Sequence, residues 1–214
     1  MLGFLGGTGP EGKGLALRLG LAGEPFIIGS RDSARADETA RELRALGNLT
    51  EVYSGPNEEV AQSADVVFIT APYSAQRDLL EALRGQLDGK VVVDTVVPLA
   101  YSRGQFSIVK IEEGSAALQA QAILIGSKIV AAFQTISAHD LLDLTTSVEG
   151  DVVTCADDEE ARESVMTLAK RIPSLRAING GALENSRYVE GITALLLNIN
   201  RIYKSRSSIR VAGI

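Results

Sequence analysis

The chain has 214 residues, of which 45% are hydrophobic and 22% charged, with a mean hydropathy of +0.12. That length suits one α/β core with a smaller appended unit, and the composition belongs to a folded globule rather than a disordered or fibrous chain. A formal net charge of -6 and a pI near 5.0 argue against nucleic acid or an anionic membrane surface as a general partner, since both are polyanions.

A single cysteine, Cys155, excludes an internal disulfide, and with the single His139 it is too little for a zinc site of the usual nitrogen and sulfur kind. A small core residue and a loop residue are their simplest readings. The sequence starts directly on strand-like residues, shows no basic leader with a cleavage pattern, and has no apolar run of the roughly 18 residues that a membrane span needs. The expectation is a cytoplasmic protein.

Residues 2–6, LGFLG, predict a first strand, and Lys13 to Leu21 a helix with Leu15, Leu17, Leu19 and Leu21 among small residues. PFIIGS predicts a second strand, followed by a helix from Ser33 to Leu46 with Ala36, Ala40 and Leu43 on one face. TEVYS reads as a third strand and NEEVAQSA as a short helix capped by Asn57, with DVVFITA behind it as a strand buried on both faces. Helix AQRDLLEALRGQL and strand KVVVDTVV continue the alternation, which implies parallel strands joined by right-handed crossovers.

The pattern then loosens. A helix from Ser115 to Leu124 leads to strand KIVAAFQTI, then strand DVVTCA, helix DEEARESVMTLAKRI, strand RAINGG and a terminal helix ENSRYVEGITALLLNINRIY. The expected organisation is α/β: a doubly wound parallel sheet over residues 1–138 and a smaller C-terminal α/β unit over 139–214. Ile192, Leu195, Leu196, Leu197 and Ile199 make the last helix too apolar for a plain surface helix, so it should pack on the first unit or on a second subunit.

The glycine run FLGGTGPEGKG lies between the first strand and the first helix. Gly7, Gly9 and Gly12 fit G-x-G-x-x-G in the context that makes the motif informative, with Thr8, Pro10 and Glu11 between them. In that motif Gly7 permits the tight turn, Gly9 lets a pyrophosphate approach the backbone and Gly12 lets helix and strand pack closely. The helix N-terminus then receives the phosphates. About twenty residues on, a site for NAD places a carboxylate on the ribose, whereas NADP requires neutralisation of a 2′-phosphate. GSRDSAR offers Ser30, Arg31 and Arg35 there, with Thr8 in reach, and these favour NADP. Asp32 either faces the ribose or starts the helix as an N-terminal carboxylate.

The sequence has no Ser-His-Asp arrangement, no metal cluster, and none of Tyr53, Tyr73, Tyr101, Tyr188 and Tyr203 stands in a Tyr-x-x-x-Lys pattern. Hydride exchange between two redox cofactors fits that absence, because it needs two aligned rings rather than a strong general acid.

GGTGPEGKGLALRL, GSR with Arg35 behind it, ITAPYSA, TVVPL, AAFQTISA, CADDEE and NSRYVEGITALLLNINR together resemble the NADPH-dependent coenzyme F420 reductases. The resemblance covers nearly the whole chain and is weakest from Ala100 to Lys128. It implies a Rossmann domain for NADP(H), a deazaflavin, F420, in the cleft between that domain and a small C-terminal one, reversible hydride transfer between the two cofactors, and a homodimer. Thr8, Ser30, Arg31 and Arg35 match the 2′-phosphate site, where a Lys often stands at Arg35. Ala71, Pro72, Tyr73, Val97 and Pro98 fall in the loops that line the cleft, and Ala138 matches a position near the nicotinamide. Gln134, Thr135 and Ile136 match the segment against the deazaflavin, with Ser186, Arg187 and Thr193 as further contacts.

Gln134 and Ser137 replace a His and a Pro common at those positions in the family. A glutamine still hydrogen-bonds a ring carbonyl but carries no charge. Reduction of another acceptor (a flavin, ferric chelate, imine or carbonyl) and a non-catalytic NADP-binding role therefore stand as alternatives. Arg187 has a second reading as a helical ion pair with Glu184 or Glu190, and Thr193 as a packing residue.

Overall fold

The computed structural model describes all residues, Met1–Ile214. In chain order its elements are β1 (Leu2–Leu5), α1 (Pro10–Leu21), β2 (Phe26–Ser30), α2 (Ser33–Gly47), β3 (Val52–Pro56), α3 (Asn57–Ser63), β4 (Val66–Ile69), α4 (Tyr73–Leu87) and β5 (Val91–Asp94). There follow β6 (Leu99–Ser102), β7 (Gln105–Ile108), α5 (Ala116–Ile123), β8 (Lys128–Ala131), α6 (Ala138–Leu142), β9 (Gly150–Thr154), α7 (Glu159–Lys170), β10 (Leu175–Asn179) and α8 (Ser186–Tyr203).

Six strands form one parallel sheet in the order β3-β2-β1-β4-β5-β8. Strand order reverses between β1 and β4, and ligands of such sheets bind in the crevice that opens at the strands' C-terminal ends there. The near-continuous apolar strands VVFI and VVVD occupy the middle, as expected where helices cover both faces. On one face Phe4 stacks on Phe68 with centroids 4.8 Å apart and meets Phe26 edge-on at 6.0 Å. On the other, Leu5, Ile27, Ile69 and Val92 pack with Leu80 and Leu83 of α4 and Ala117 and Ala120 of α5.

The first of these cores runs on through Phe133 and Leu141 into Val152, Val165 and Ile172, so residues beyond 138 share its packing. Strands β9 and β10 pair in parallel as a small second sheet. It joins the edge of the first where Ala131 N–H donates to the Cys155 carbonyl at 2.9 Å and Cys155 N–H returns the bond at 3.0 Å. Cys155 is a fully buried core residue whose thiol burial pushes up to about 11, which leaves it unreactive.

Two local readings change and one element is added. The strand predicted over 128–136 ends at Ala131, because Phe133 takes a left-handed backbone with φ of 72° and the chain turns there. Residues 99–108 form an antiparallel hairpin through Arg103 and Gly104, both at positive φ. Its half-exposed strands show no alternation, and its hold on α8 is long-range: Asn198 accepts from Phe106 N–H at 2.8 Å and donates to the Phe106 carbonyl at 2.9 Å. Asn57 does not cap α3, whose preceding residue is Pro56; it is buried, and its Oδ1 accepts from Gly6 N–H at 3.1 Å.

Candidate active site

A single cleft of about 1470 Å³ opens at the C-terminal ends of β1, β2, β4 and β5 and is closed on its far side by the 133–139 segment and α8. Its length divides into an end beside the glycine loop and an end beside α8.

At the first end the turn after β1 belongs to Gly6, whose φ is +66°, rather than to Gly7. Gly7 and Gly12 lie behind the cavity wall. A side chain at either would strike the loop or strand backbone, at 2.8 Å on the Phe4 carbonyl and at 2.6 Å on Gly7 Cα respectively. Gly9 is the opposite case, with nothing within 4 Å of the position its Cβ would take. It lines the cavity, so its bare backbone leaves room for a group to approach. Pro10 begins α1, where its missing N–H is not needed, and the helix aims its N-terminus along the loop.

Thr8, Pro10, Glu11, Ser30, Arg31 and Arg35 all line this end, with both guanidiniums exposed. Asp32 caps α2, accepting from Ala34 N–H at 3.0 Å and Arg35 N–H at 3.3 Å. The capping bonds hold its carboxylate at the helix end, which engages Oδ1 with the backbone, although Asp32 also lines the cavity beside Arg31.

In the middle, Ala71, Pro72, Tyr73 and Val97 line the cavity, while Pro98 is buried at the base of the hairpin. Thr70 and Thr95 donate their hydroxyls to the Leu5 and Ile69 carbonyls at 3.0 and 2.8 Å, which fixes the ends of β4 and β5 under the cleft.

The second end gathers Gln134, Thr135, Ile136, Ala138 and Thr193. Gln134 is buried, and its Nε2 donates to the Asp94 carbonyl at 2.9 Å while its Oε1 has no partner. The amide orientation follows from that carbonyl, which accepts only a donor. The acceptor left without a partner is therefore the enclosed Oε1, which suits an N–H group, and the expected bond to a ring carbonyl is not the one this geometry favours. Thr193 Oγ1 donates to the Gln134 carbonyl at 2.9 Å and steadies the same segment from α8. Ser137 accepts from Asp140 N–H at 3.3 Å as the cap of α6.

Ser186 and Arg187 stand apart from the cavity. Ser186 is fully buried with its Oγ bonded to Ser115 Oγ at 2.7 Å, and Arg187 pairs with Glu184 at 2.7 Å. The α8 residues that do line the cleft, beyond Thr193, are Leu196, Leu197 and Asn200. They follow from Thr193 at helical spacing, a signal the sequence carried. The basic tail is engaged elsewhere: Arg206 pairs with Asp140 at 2.6 Å and Arg210 with Glu149 at 3.5 Å.

Behind the second end lies a buried acidic frame. Asp94 accepts from Gln76 Nε2 at 2.9 Å and Val96 N–H at 2.8 Å, and burial raises it to about 7. Glu190 of α8 accepts from the first N–H groups of α5, Ala116 at 3.0 Å and Ala117 at 3.3 Å. Burial, with Asp94 adding to it, pushes Glu190 up to about 8.

Fold and cleft define the class: a Rossmann-type, dinucleotide-binding fold whose long cleft opens at the switch point of its parallel sheet. A family model described as "NADP oxidoreductase coenzyme F420-dependent" matches residues 1–98. The chain is 40% identical to an F420-dependent NADP reductase of Methanothermobacter marburgensis, covering 98% of this chain and 95% of that one. It is 38% identical to one of Methanocaldococcus jannaschii, covering 99% and 97%. In fold it is similar to an Arthrobacter sp. FB24 protein assigned to the same reductases, with a TM-score of 0.85 and 22% identity over 99% of each chain. The protein belongs to the F420-dependent NADP reductase family.

Proposed function

We propose that the cleft moves a hydride reversibly between NADP(H), held at the glycine-loop end, and coenzyme F420, held beside α8. The observation that carries this reading is the cleft itself, a continuous space of about 1470 Å³ where one ligand ordinarily fills about 300–1,000 Å³. Both ends suit their occupants: the open face of Gly9 and two exposed guanidiniums at one, a buried unpartnered acceptor at the other.

The hydride chemistry is supplied by the two cofactors when bound. The glycine loop and the α1 N-terminus receive the pyrophosphate, and Thr8, Ser30, Arg31 and Arg35 the 2′-phosphate. Ala71, Pro72, Tyr73, Val97 and Ala138 bound the nicotinamide side. Gln134, Thr135, Ile136 and Thr193, with Leu196 and Leu197, bound the deazaflavin and exclude water from between the rings. Alignment is then the protein's main contribution to rate. Pro98 supports this wall from behind, Gly7 and Gly12 support the loop, and the reading leaves Ser186 and Arg187 out.

Residues 139–214 act in this reading as the unit that closes the cleft and pairs with a second copy in a cytoplasmic homodimer. Tyr188, Leu195 and Ile202, seven residues apart along α8 and 66%, 57% and 74% exposed, support the pairing face. No helix is long and apolar enough to cross a membrane. The test is loss of the oxidised deazaflavin's visible absorbance with NADPH and F420, with NADH and flavin mononucleotide in parallel. Rapid bleaching specific to NADPH is expected; none, or equal rates with flavin mononucleotide, overturns the reading.

A further inference from the structure

Glu11 is the second buried acceptor of the cleft that has no partner. It lies in the first turn of α1, lines the cavity, and its Oε1 is enclosed without a hydrogen bond. Its face of the helix can be followed turn by turn. A Cβ on Gly14, three residues on, would come within 3.2 Å of the Ala138 carbonyl and 2.6 Å of Leu141 Cβ. Arg18, a further turn on, donates to the carbonyls of Leu141 at 2.8 Å and Asp140 at 2.9 Å. This face of α1 therefore runs along the segment that starts at Ala138, and Glu11 is the member of it that reaches the cleft, between the phosphate end and the ring end.

Oε1 is enclosed by the protein although the residue is only half-buried, so a turn of the side chain is what brings this oxygen to a ligand of the cleft, and a bound group that then satisfies it recovers the cost of an unpartnered acceptor. Burial raises Glu11 to about 8, which favours the uncharged carboxylic acid at neutral pH. A carboxylic acid presents one donor and one acceptor on a single edge. The group with the complementary edge is a primary carboxamide, whose N–H donates and whose C=O accepts.

We propose that Glu11 is the positioning residue for the carboxamide on the nicotinamide ring, and that it discriminates between rings that carry this amide and rings that lack it. The inference rests on the reading that NADP(H) lies at the glycine-loop end. By holding the amide coplanar with its own carboxyl, Glu11 sets the rotation of the ring about its bond to the ribose. That rotation decides which ring face is turned to the second compartment.

Equilibrium titration of the full chain tests this with NADP⁺, with its 3-acetylpyridine analogue, which has a methyl ketone in place of the amide, and with 2′-phospho-ADP-ribose, which lacks the ring. Wild type should bind NADP⁺ about tenfold more tightly than the analogue, the effect of one lost hydrogen bond at a buried partner. Glu11→Leu should abolish that preference and leave 2′-phospho-ADP-ribose unchanged, whereas Glu11→Gln, whose amide edge is also complementary, should keep it. Equal wild-type affinities for NADP⁺ and the analogue overturn the proposal whether or not a variant folds, and so does a loss in Glu11→Leu shared by the ring-less fragment. F420 binding, followed by its fluorescence, separates the other ring: a loss there with NADP⁺ unchanged overturns the assignment to the carboxamide. Failure of wild type to bind NADP⁺ at all overturns the parent reading and this one with it.

Discussion

At the glycine-loop end of the cleft, the ligand-facing groups lie between Gly6 and Arg35, on two consecutive strand–helix turns. At the α8 end, Gln134 is held by Asp94 from 40 positions away and by Thr193 from 59. The first end offers backbone N–H groups and fixed cations, which any chain with that turn geometry presents. The second offers a side-chain acceptor whose orientation depends on three elements meeting correctly. Anchoring is thus local and redundant, whereas ring recognition is distributed and rests on single hydrogen bonds.

The sharpest break in that comparison is Arg31→Asp. Reversing a charge beside the 2′-phosphate removes charge-assisted bonds worth about 1.5–3 kcal/mol. NADPH affinity should fall roughly tenfold to a hundredfold by titration, with F420 and NADH binding unchanged. Equal losses for NADPH and NADH would reassign the arginine.

Asn57→Ala comes next and tests whether the anchoring end is as local as it looks. Its Oδ1 takes the Gly6 N–H from a distant turn, and its loss leaves a part-buried donor unpaired at about 1–3 kcal/mol. The expected outcome is a lower urea midpoint together with a several-fold weaker NADPH affinity, and F420 binding as in wild type.

Gln134→Leu should weaken F420 about tenfold in a fluorescence titration while NADPH binding holds, since it deletes one acceptor. Gln134→His should restore most of it. A neutral imidazole gives one N–H to the Asp94 carbonyl and keeps one bare nitrogen as acceptor. Glutamine and the histidine that the resemblance leads one to expect at this position then do the same task, and the change of residue keeps the function. Unchanged F420 affinity in Gln134→Leu would remove Gln134 from the ring site.

The asymmetry also explains what the sequence disclosed. The strand–helix alternation, the glycine turn and the cluster Ser30, Arg31 and Arg35 are short-range patterns, and periodicity and turn chemistry are enough to read them. Asn57 shows the limit: its position invites a capping role, but its partner, Gly6, is 51 positions earlier and only the packed sheet brings the two together. Ser186 and Arg187 lie outside the cleft for a related reason. They match a motif in order, yet rotation of α8 turns Ser186 onto Ser115 and Arg187 onto Glu184, and presents the Thr193, Leu196, Leu197 and Asn200 stripe to the cleft. The left-handed Phe133, which ends β8 early and aims Gln134 inward, has no local signature, because a bulky residue adopts that backbone only where the surroundings impose it.

The smallest expected effect concerns the acidic frame behind the ring end. Asp94 and Glu190 are raised by burial to about 7 and about 8, and Glu11 to about 8. Each binds its proton more tightly folded than unfolded, so between about pH 4 and pH 8 the folded state holds more protons than the unfolded one. Stability then falls as pH rises through that window. The depressed carboxyls, such as Asp151 beside Arg176, act with the opposite sign, but their contribution is complete once pH exceeds the unfolded carboxylate range. Urea midpoints should therefore decline from pH 5 to pH 9, and Glu190→Gln should flatten the decline. Because Glu190 ties α8 to the first turn of α5, hydrogen exchange at Ala116 and Ala117 should quicken at high pH before exchange at the glycine loop does. A midpoint that rises with pH, or exchange that quickens first at Gly6 and Gly7, would mean that the ring end is not the pH-sensitive half of the cleft.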